Sequence, residues 1–275
     1  MFSYVGGCVL FAALLHATWN AMLHGNADRF LSMTWMSISI GIVSVVSIPF
    51  LPMPAQGAWP YIVASGLVHI GYNMALVRAY QSGDLGATYP IARGSSPLLV
   101  AIGAALFARE YPGVLPVVGI ALVSAGIVWL ALQRGNVSGK GALAAFITGA
   151  TIAIYTVIDG IGVRASGHAV AYTAWMFAFY LLMLPLFVAL RGAPALRAPT
   201  GVMAQGVAGG LVSVAAYGIV IWAMQFGAMG AVSALRETSV VFAALIGRMF
   251  LHEQLTARRL IACCVIAAGA VCIGA

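Results

Sequence analysis

The sequence predicts an all-α polytopic membrane protein with ten transmembrane helices. Of its 275 residues, 63% are apolar and only 7% are Asp, Glu, Lys or Arg, whereas a soluble domain has about a quarter charged residues. So few charged side chains cannot cover a water-facing surface. Soluble enzymes and secreted modules are therefore excluded. The 13 Lys and Arg residues are scattered along the chain, so no basic patch for nucleic acid is predicted.

The ten helices follow from apolar runs separated by short polar or Pro/Gly breaks. A membrane-spanning helix needs about 20 apolar residues, and none of the breaks is long enough to fold alone. No GxxxxGK[ST] motif occurs, so ATP is not an expected partner. No Lys or Arg precedes the first run, so we expect a retained span and not a cleaved signal peptide. The predicted spans are 3–23, 30–50, 58–80, 85–107, 112–132, 141–163, 169–190, 203–226, 229–251 and 257–275.

An internal repeat divides the chain into residues 1–135 and 136–275, with five predicted helices in each half. The two segments 64–110 and 208–253 align with a gap of one residue. Because five is odd, the second half must lie upside down relative to the first. Inverted repeats with a site at their interface are typical of secondary transporters. The matched pairs are Gln81 with Gln225, Gly83 with Gly227, Gly86 with Gly230, Arg93 with Arg236, Ser96 with Ser239, and Glu110 with Glu253.

Several segments resemble the drug/metabolite transporter superfamily in its ten-helix, EamA-like form. They are ARE at 108–110, LHE at 251–253, YPIARGSSPLL at 89–99, ALRETSVVFAALIG at 234–247, HATWN at 16–20 and IYTVIDGIGVR at 154–164. The resemblance implies export of small metabolites, amino acids or amphipathic compounds without ATP. It also implies that spans one, three, four, six, eight and nine line a cavity while spans five and ten are peripheral. Glu110 and Glu253 would have a structural role at equivalent positions of the two repeats.

Three charged residues lie deep within predicted spans, where an ionisable group is costly and points to function. Arg93 and Arg236 hold matching repeat positions, and Glu237 follows Arg236. Since neighbouring helical residues point about 100° apart, we expect Glu237 to pair with Arg93 rather than with Arg236. The group is either a substrate site for a carboxylate or an ion pair that only joins the halves. Pro90 and Pro97 predict a break or kink in span four.

Two further groups of polar residues share a helical face through i, i+3, i+4 spacing. The first is His16, Trp19 and Asn20 in span one; the second is His69, Tyr72 and Asn73 in span three. Because such faces are costly against lipid, both are expected to face the protein interior. They serve either substrate contact or interhelical hydrogen bonding.

The remaining candidate side chains are Tyr155, Asp159 and Trp222. Two interpretations are open for Asp159. Its side chain either contacts a substrate amine or extends toward the membrane surface beside Arg164. Trp19, Tyr72 or Trp222 would contact the apolar or cationic part of a substrate.

The cysteines Cys8, Cys263, Cys264 and Cys272 all lie in apolar runs without CxxC spacing. We therefore expect no metal, cofactor or disulfide framework. Small residues four apart, such as Cys264 and Ala268, predict close helix packing.

The functional hypothesis is a multi-pass transporter in the plasma (inner) membrane, and not an enzyme. It would export small zwitterionic or anionic metabolites such as amino acids by alternating access. The alternative is a proton-coupled exporter of lipophilic or quaternary cations. The expected partners are the small-molecule substrate and the lipid bilayer, and proton coupling through His16 or Glu237 is left open. Seven Lys or Arg residues in odd-numbered gaps against two in even gaps place both termini outside, although the resemblance implies cytoplasmic termini.

Overall fold

A computed structural model describes residues 4–24, 28–81, 85–132, 139–250 and 256–274 of the chain, and within these ranges it is helical and contains no strand. Short 3-10 turns follow α2, precede α3, join α7 to α8 and precede α9. The helices are α1 (Tyr4–His24), α2 (Arg29–Ser47), α3 (Trp59–Gln81), α4 (Leu85–Ala108), α5 (Val114–Leu132), α6 (Gly139–Ser166), α7 (Ala169–Ala178), α8 (Met183–Arg191), α9 (Thr200–Ala223), α10 (Met229–Glu237), α11 (Ser239–Phe250) and α12 (Ala257–Gly274).

These helices make ten membrane-length segments within the described ranges and confirm the predicted fold class. α7 and α8 together form one segment, and α10 and α11 form another that is interrupted at Thr238. Nine segments are long and apolar enough to cross a membrane. The tenth, α3, has 23 residues and carries polar side chains along its length. Every predicted span agrees with its observed segment to within three residues at either end.

The molecule exposes large apolar side chains and buries several charged ones, as a bilayer requires. Large apolar side chains such as Leu106, Phe107 and Val114 are exposed, whereas Arg236 and Asp159 are buried. Lipid solvates the exposed side chains, and the charged ones must find partners within the helix bundle.

The first helix of each half packs against the opposite half. α1 lies against α9, α10 and α11, and α6 lies against α3 and α4. This exchange is what two inverted five-helix repeats produce. It brings α1, α3, α4, α6, α9 and α10 around the centre.

α5 and α12 pack against each other at the edge of the bundle. Their backbones nearly touch, because a Cβ atom on Gly119 would lie 2.6 Å from the carbonyl oxygen of Gly269. The predicted packing stripe on the last helix was wrong, since Cys264 and Ala268 are exposed. The buried face of α12 instead carries Ala262, Ile266, Gly269, Ala270 and Ile273.

The two membrane ends of the bundle differ. We call the end at which α1 begins the proximal end and the end at which α1 finishes the distal end. Apolar side chains close the distal end in a cluster, the distal seal, that includes Leu23, Phe30, Leu76, Met183 and Phe187. The Arg191 guanidinium covers it, 5.1 Å from the Phe30 ring centroid, and pairs with Asp28 at 2.6 Å. A cavity of about 490 Å³ lies at the proximal end.

Candidate functional site

A buried triad of charged residues lies near the middle of the bundle. Arg93 on α4 donates from Nε to Oε2 of Glu237 at 2.6 Å. Arg236 donates from Nη2 to the other carboxylate oxygen, Oε1, at 3.0 Å. The Glu237 side chain is only 1% exposed. Two guanidinium groups from opposite halves of the chain therefore share one carboxylate.

The expectation that Glu237 would avoid its neighbour Arg236 was wrong. The 100° rotation between neighbours separates their Cβ atoms, but the long arginine side chain turns back and reaches Oε1. The helix also ends here. The Thr238 amide donates to the Leu235 carbonyl at 3.1 Å, and the Thr238 hydroxyl donates to the same oxygen at 2.6 Å. This tight turn separates α10 from α11 at the triad.

Of the break or kink predicted at the prolines of span four, the break does not occur. α4 runs without interruption through Pro90 and Pro97. Pro97 has no N–H, which would leave the carbonyl of Arg93 without its helical donor. The Ser96 hydroxyl donates to that carbonyl at 3.0 Å. The Arg93 side chain also donates to the Ser239 hydroxyl at 2.8 Å.

Asp159 on α6 forms a second, acidic pole of the site. It is fully buried and accepts hydrogen bonds from the hydroxyls of Tyr172 at 3.0 Å and Tyr217 at 2.7 Å. The reading in which it snorkels beside Arg164 is therefore wrong. Both donors are neutral hydroxyls, so these contacts give the carboxyl group hydrogen bonds but no balancing positive charge.

Aromatic rings surround this pole and form what we call the aromatic cluster: His69, Tyr72, Tyr155, Tyr180 and Tyr217. The His69 ring centroid lies 4.1 Å from that of Tyr155 and 5.4 Å from that of Tyr217. Tyr72 contacts Tyr155 at 5.5 Å. The predicted residues His69, Tyr72, Tyr155 and Asp159 thus come together in space.

Tyr217 connects the two poles and was missed in the sequence. Its hydroxyl binds Asp159, and its ring centroid lies 5.9 Å from the guanidinium carbon of Arg236. The sequence contained evidence for this residue, because the repeat alignment places Tyr217 opposite Asn73, which was a predicted site residue. Tyr172 and Tyr180, which come from α7 and the turn after it, had no such counterpart and could be found only in the folded chain.

Of the polar face predicted in span one, His16, Trp19 and Asn20, only part lies close to the charged triad. The His16 ring contacts Trp19 with centroids 4.9 Å apart, and His16 lies within electrostatic reach of Arg93 and Arg236. The Asn20 amide donates to the His16 carbonyl within its own helix at 2.8 Å. Trp19 packs against the distal seal. His16 is thus the member of this face nearest the charges.

Among the predicted site residues in the described part of the chain, two buried nitrogen atoms have no hydrogen-bond partner. They are Nε2 of His16 and Nδ2 of Asn73. Buried donors and acceptors are rarely left unpaired, so both atoms are open to a ligand.

Trp222 lies elsewhere, at the proximal end. It lines the proximal cavity, and its ring contacts Tyr4 at 6.0 Å and Phe226 at 5.2 Å. The structure therefore separates this predicted residue from the triad.

A second ion-pair group, the terminal clip, consists of Glu110 and Arg164. The Glu110 carboxylate pairs with Arg164 and accepts the Met229 amide at the start of α10 at 2.8 Å. Arg164 donates to the carbonyls of Met224 at 2.8 Å and Gly227 at 2.9 Å, beyond the end of α9. These contacts support a structural role for Glu110. Glu253 and the side chain of Arg78 lie outside the described residues.

The arrangement can bind charged groups but holds no metal-ligand set among the described residues, where no three His, Cys, Asp or Glu side chains cluster. The triad offers guanidinium groups suited to a carboxylate. Asp159 and the aromatic cluster offer a place for an ammonium group.

Comparison with known proteins gives a family for residues 139–275 and a fold for the chain. Residues 139–275 match the EamA-like transporter family. A solved structure entitled "Crystal structure of protein" superposes with a TM-score of 0.74 at 18% sequence identity, covering 98% of this chain and 94% of its own. That likeness concerns the fold alone. No curated protein matches the chain.

Proposed function

Residues 139–275 are an EamA-like transporter family domain, and from this premise we propose that the chain exports small zwitterionic or anionic metabolites, such as amino acids. The family favours a transporter over an enzyme, and the chain is a multi-pass membrane protein. The plasma (inner) membrane is the proposed location, with both termini outside. The halves 1–135 and 136–275 are the proposed moving parts.

One observation carries the substrate class: a single buried carboxylate is shared by two guanidinium groups. The triad itself therefore has one more positive than negative charge. A substrate carboxylate bound to Arg236 or Arg93 would supply the missing negative charge with bidentate geometry. A buried charge of this kind is expensive to maintain in a membrane, which favours a functional role.

The second pole favours a zwitterion over a simple anion. Asp159 is buried and accepts a hydrogen bond from the Tyr217 hydroxyl, while the Arg236 guanidinium lies over the ring of the same tyrosine. An ammonium group placed there would meet a carboxylate and ring faces together. One substrate with both charges would contact both poles.

The difference between the two ends supports alternating access. The distal seal is packed with apolar side chains, whereas the proximal end contains a cavity. In the opposite state, the inverted repeat would exchange these arrangements. The interruption at Thr238 lies beside the triad, so substrate binding and movement of α10 against α11 would be coupled there.

The alternative is a proton-coupled exporter of lipophilic or quaternary cations. The aromatic cluster around Asp159 favours it, since ring faces recognise quaternary ammonium groups. Arg236, which lies over the ring of Tyr217 in that cluster, opposes it, because its guanidinium would repel a substrate that carries only positive charge.

The test is uptake into liposomes containing the purified protein. We expect counterflow of amino acids but not of a quaternary ammonium ion, and loss of that counterflow in Arg93→Gln and Arg236→Gln. Arg248→Gln is the matched control, because Arg248 is an exposed arginine in the same interrupted span. Wild-type rates in both triad variants would contradict the proposed site.

A proton gradient across the same liposomes tests the coupling. Acceleration by the gradient in the wild type, and its absence in His16→Gln, would support proton coupling through His16. A gradient without effect on the wild type would exclude proton coupling.

A further inference from the structure

The proximal cavity lies between α1, α2, α7 and α9. It has a volume of about 490 Å³, which is within the usual range for small-molecule sites. Tyr4, Ser47, Val170 and Trp222, from the four helix ends, line its outer part. From Trp222 to Val214 the wall follows two turns of α9, so the cavity extends about 12 Å into the bundle.

The wall offers no charge to a ligand, and its aliphatic hydroxyls are already engaged. Its described lining residues include no Asp, Glu, Lys or Arg. The hydroxyls of Ser44, Ser47 and Thr173 each donate to the carbonyl four residues earlier in their own helix, at 2.7–2.8 Å. A charged group would lose its hydration here without an opposite charge to compensate. The cavity is therefore suited to an apolar group.

The mouth of the cavity opens at an apolar part of the surface. Tyr4 is 78% exposed and Val170 is 56% exposed. Tyrosine and tryptophan at helix ends are typical of the membrane–water boundary. A molecule in the mouth would therefore meet the lipid interface and the cavity together.

The inner end of the cavity reaches the charged site through a single ring. Phe177 lines the cavity and is buried. Its ring centroid lies 6.0 Å from that of Tyr217, the residue that joins Asp159 to Arg236. A change in the Phe177 side chain would connect the apolar cavity to both charged poles.

We propose that this cavity binds the apolar side group of an amphipathic substrate while its charged end is at the triad or is passing Phe177. The inference rests on the proposed function and narrows it to substrates with a substantial apolar group. A bilayer lipid is not the occupant, because the cavity ends at the rings that hold the charged poles.

Gly218→Leu tests the inference by filling the cavity. Gly218 lines it, and a Cβ atom there would lie 3.9 Å from the nearest atom, on Thr173, so the added Cβ atom causes no clash. Gly71→Leu is the matched control, since Gly71 on α3 has no atom within 4 Å of such a Cβ. Glycine and leucine are the probes, because they share charged ends and differ only in the apolar group.

We expect Gly218→Leu to lower kcat/KM for leucine by about tenfold or more, with little change for glycine and none in Gly71→Leu. Equal loss for both probes, or no loss for leucine, would overturn the inference while leaving the proposed function intact. If the wild type transports neither probe, the proposed function fails and the inference fails with it.

Cys8 gives a second readout that does not depend on transport, because it lines the cavity. In a variant with Cys263, Cys264 and Cys272 replaced by Ala, leucine should slow alkylation of Cys8 by N-ethylmaleimide, and glycine should not. If oleate slows the alkylation of Cys8 and leucine does not, the cavity binds lipid and the inference is overturned.

Discussion

The triad and the terminal clip use the same residue types in different surroundings. In the triad, the carboxylate of Glu237 is shared by two arginine side chains and is 1% exposed. In the clip, Arg164 is 33% exposed, and both charges also bind backbone groups at helix ends. A cation at the end of α9 and an anion at the start of α10 each complement a helix dipole. The clip completes its own electrostatics within the fold, whereas the triad retains a positive charge for a ligand.

Glu237→Gln should have the largest effect, because it removes the only carboxylate of the triad. Two buried guanidinium groups would then repel each other. Breaking a buried ion pair in this way costs about 3–5 kcal/mol. We expect a marked fall in the unfolding temperature of the detergent-solubilised protein and no transport. If the Glu237→Gln protein is stable and its uptake is normal, the triad has no role in substrate binding and is a structural feature like the clip.

Exchanging the two residues of the terminal clip distinguishes stabilisation by their ion pair from stabilisation by each charge at its helix end. Arg164→Gln should cost about 1–2 kcal/mol of unfolding free energy, since it removes a charge and weakens bonds to two carbonyls. The double variant Glu110→Arg with Arg164→Glu restores opposite charges but places each at the wrong helix end. We therefore expect thermal unfolding to show no rescue. Recovery of stability in the exchanged protein would show that the pair alone matters.

Tyr217→Phe should have the smallest effect on stability and a selective effect on transport. It removes one hydrogen bond to Asp159 and keeps the ring beside Arg236, at a cost of about 1 kcal/mol. We expect KM for a zwitterion to rise more than KM for an anion that lacks the ammonium group. Tyr111→Phe is the control, because Tyr111 is exposed. An equal change in KM for both substrates would show that Tyr217 does not contribute to binding of the ammonium group.

The sequence predicted the spans well because a bilayer acts on each segment separately. Apolar length decides where a helix can lie, and this property is readable from any single run. The repeat then placed Arg93 opposite Arg236 without knowledge of the fold. The resulting pairing through Glu237 was foreseen for Arg93 and not for Arg236.

Side-chain direction was predicted less well, because it depends on contacts between helices. Cys264 and Ala268 were expected to pack and are exposed, while Gly269 one residue later contacts α5. Asp159 was judged from its distance to a span end, but its surroundings are set by Tyr172 and Tyr217 on other helices. Pro97 was expected to deform α4, and a neighbouring serine hydroxyl compensates for its missing donor.

The shared carboxylate of the triad also has an electrical consequence. A full charge that crosses the membrane field changes in energy by about 2.3 kcal/mol per 100 mV. With Asp159 ionised, the four charged side chains of the empty site balance one another, and a zwitterionic substrate adds no net charge. Membrane potential would then act on neither half of the transport cycle. A substrate that carries only a carboxylate would give the loaded site a net negative charge, so its movement between the two faces of the membrane would respond to voltage.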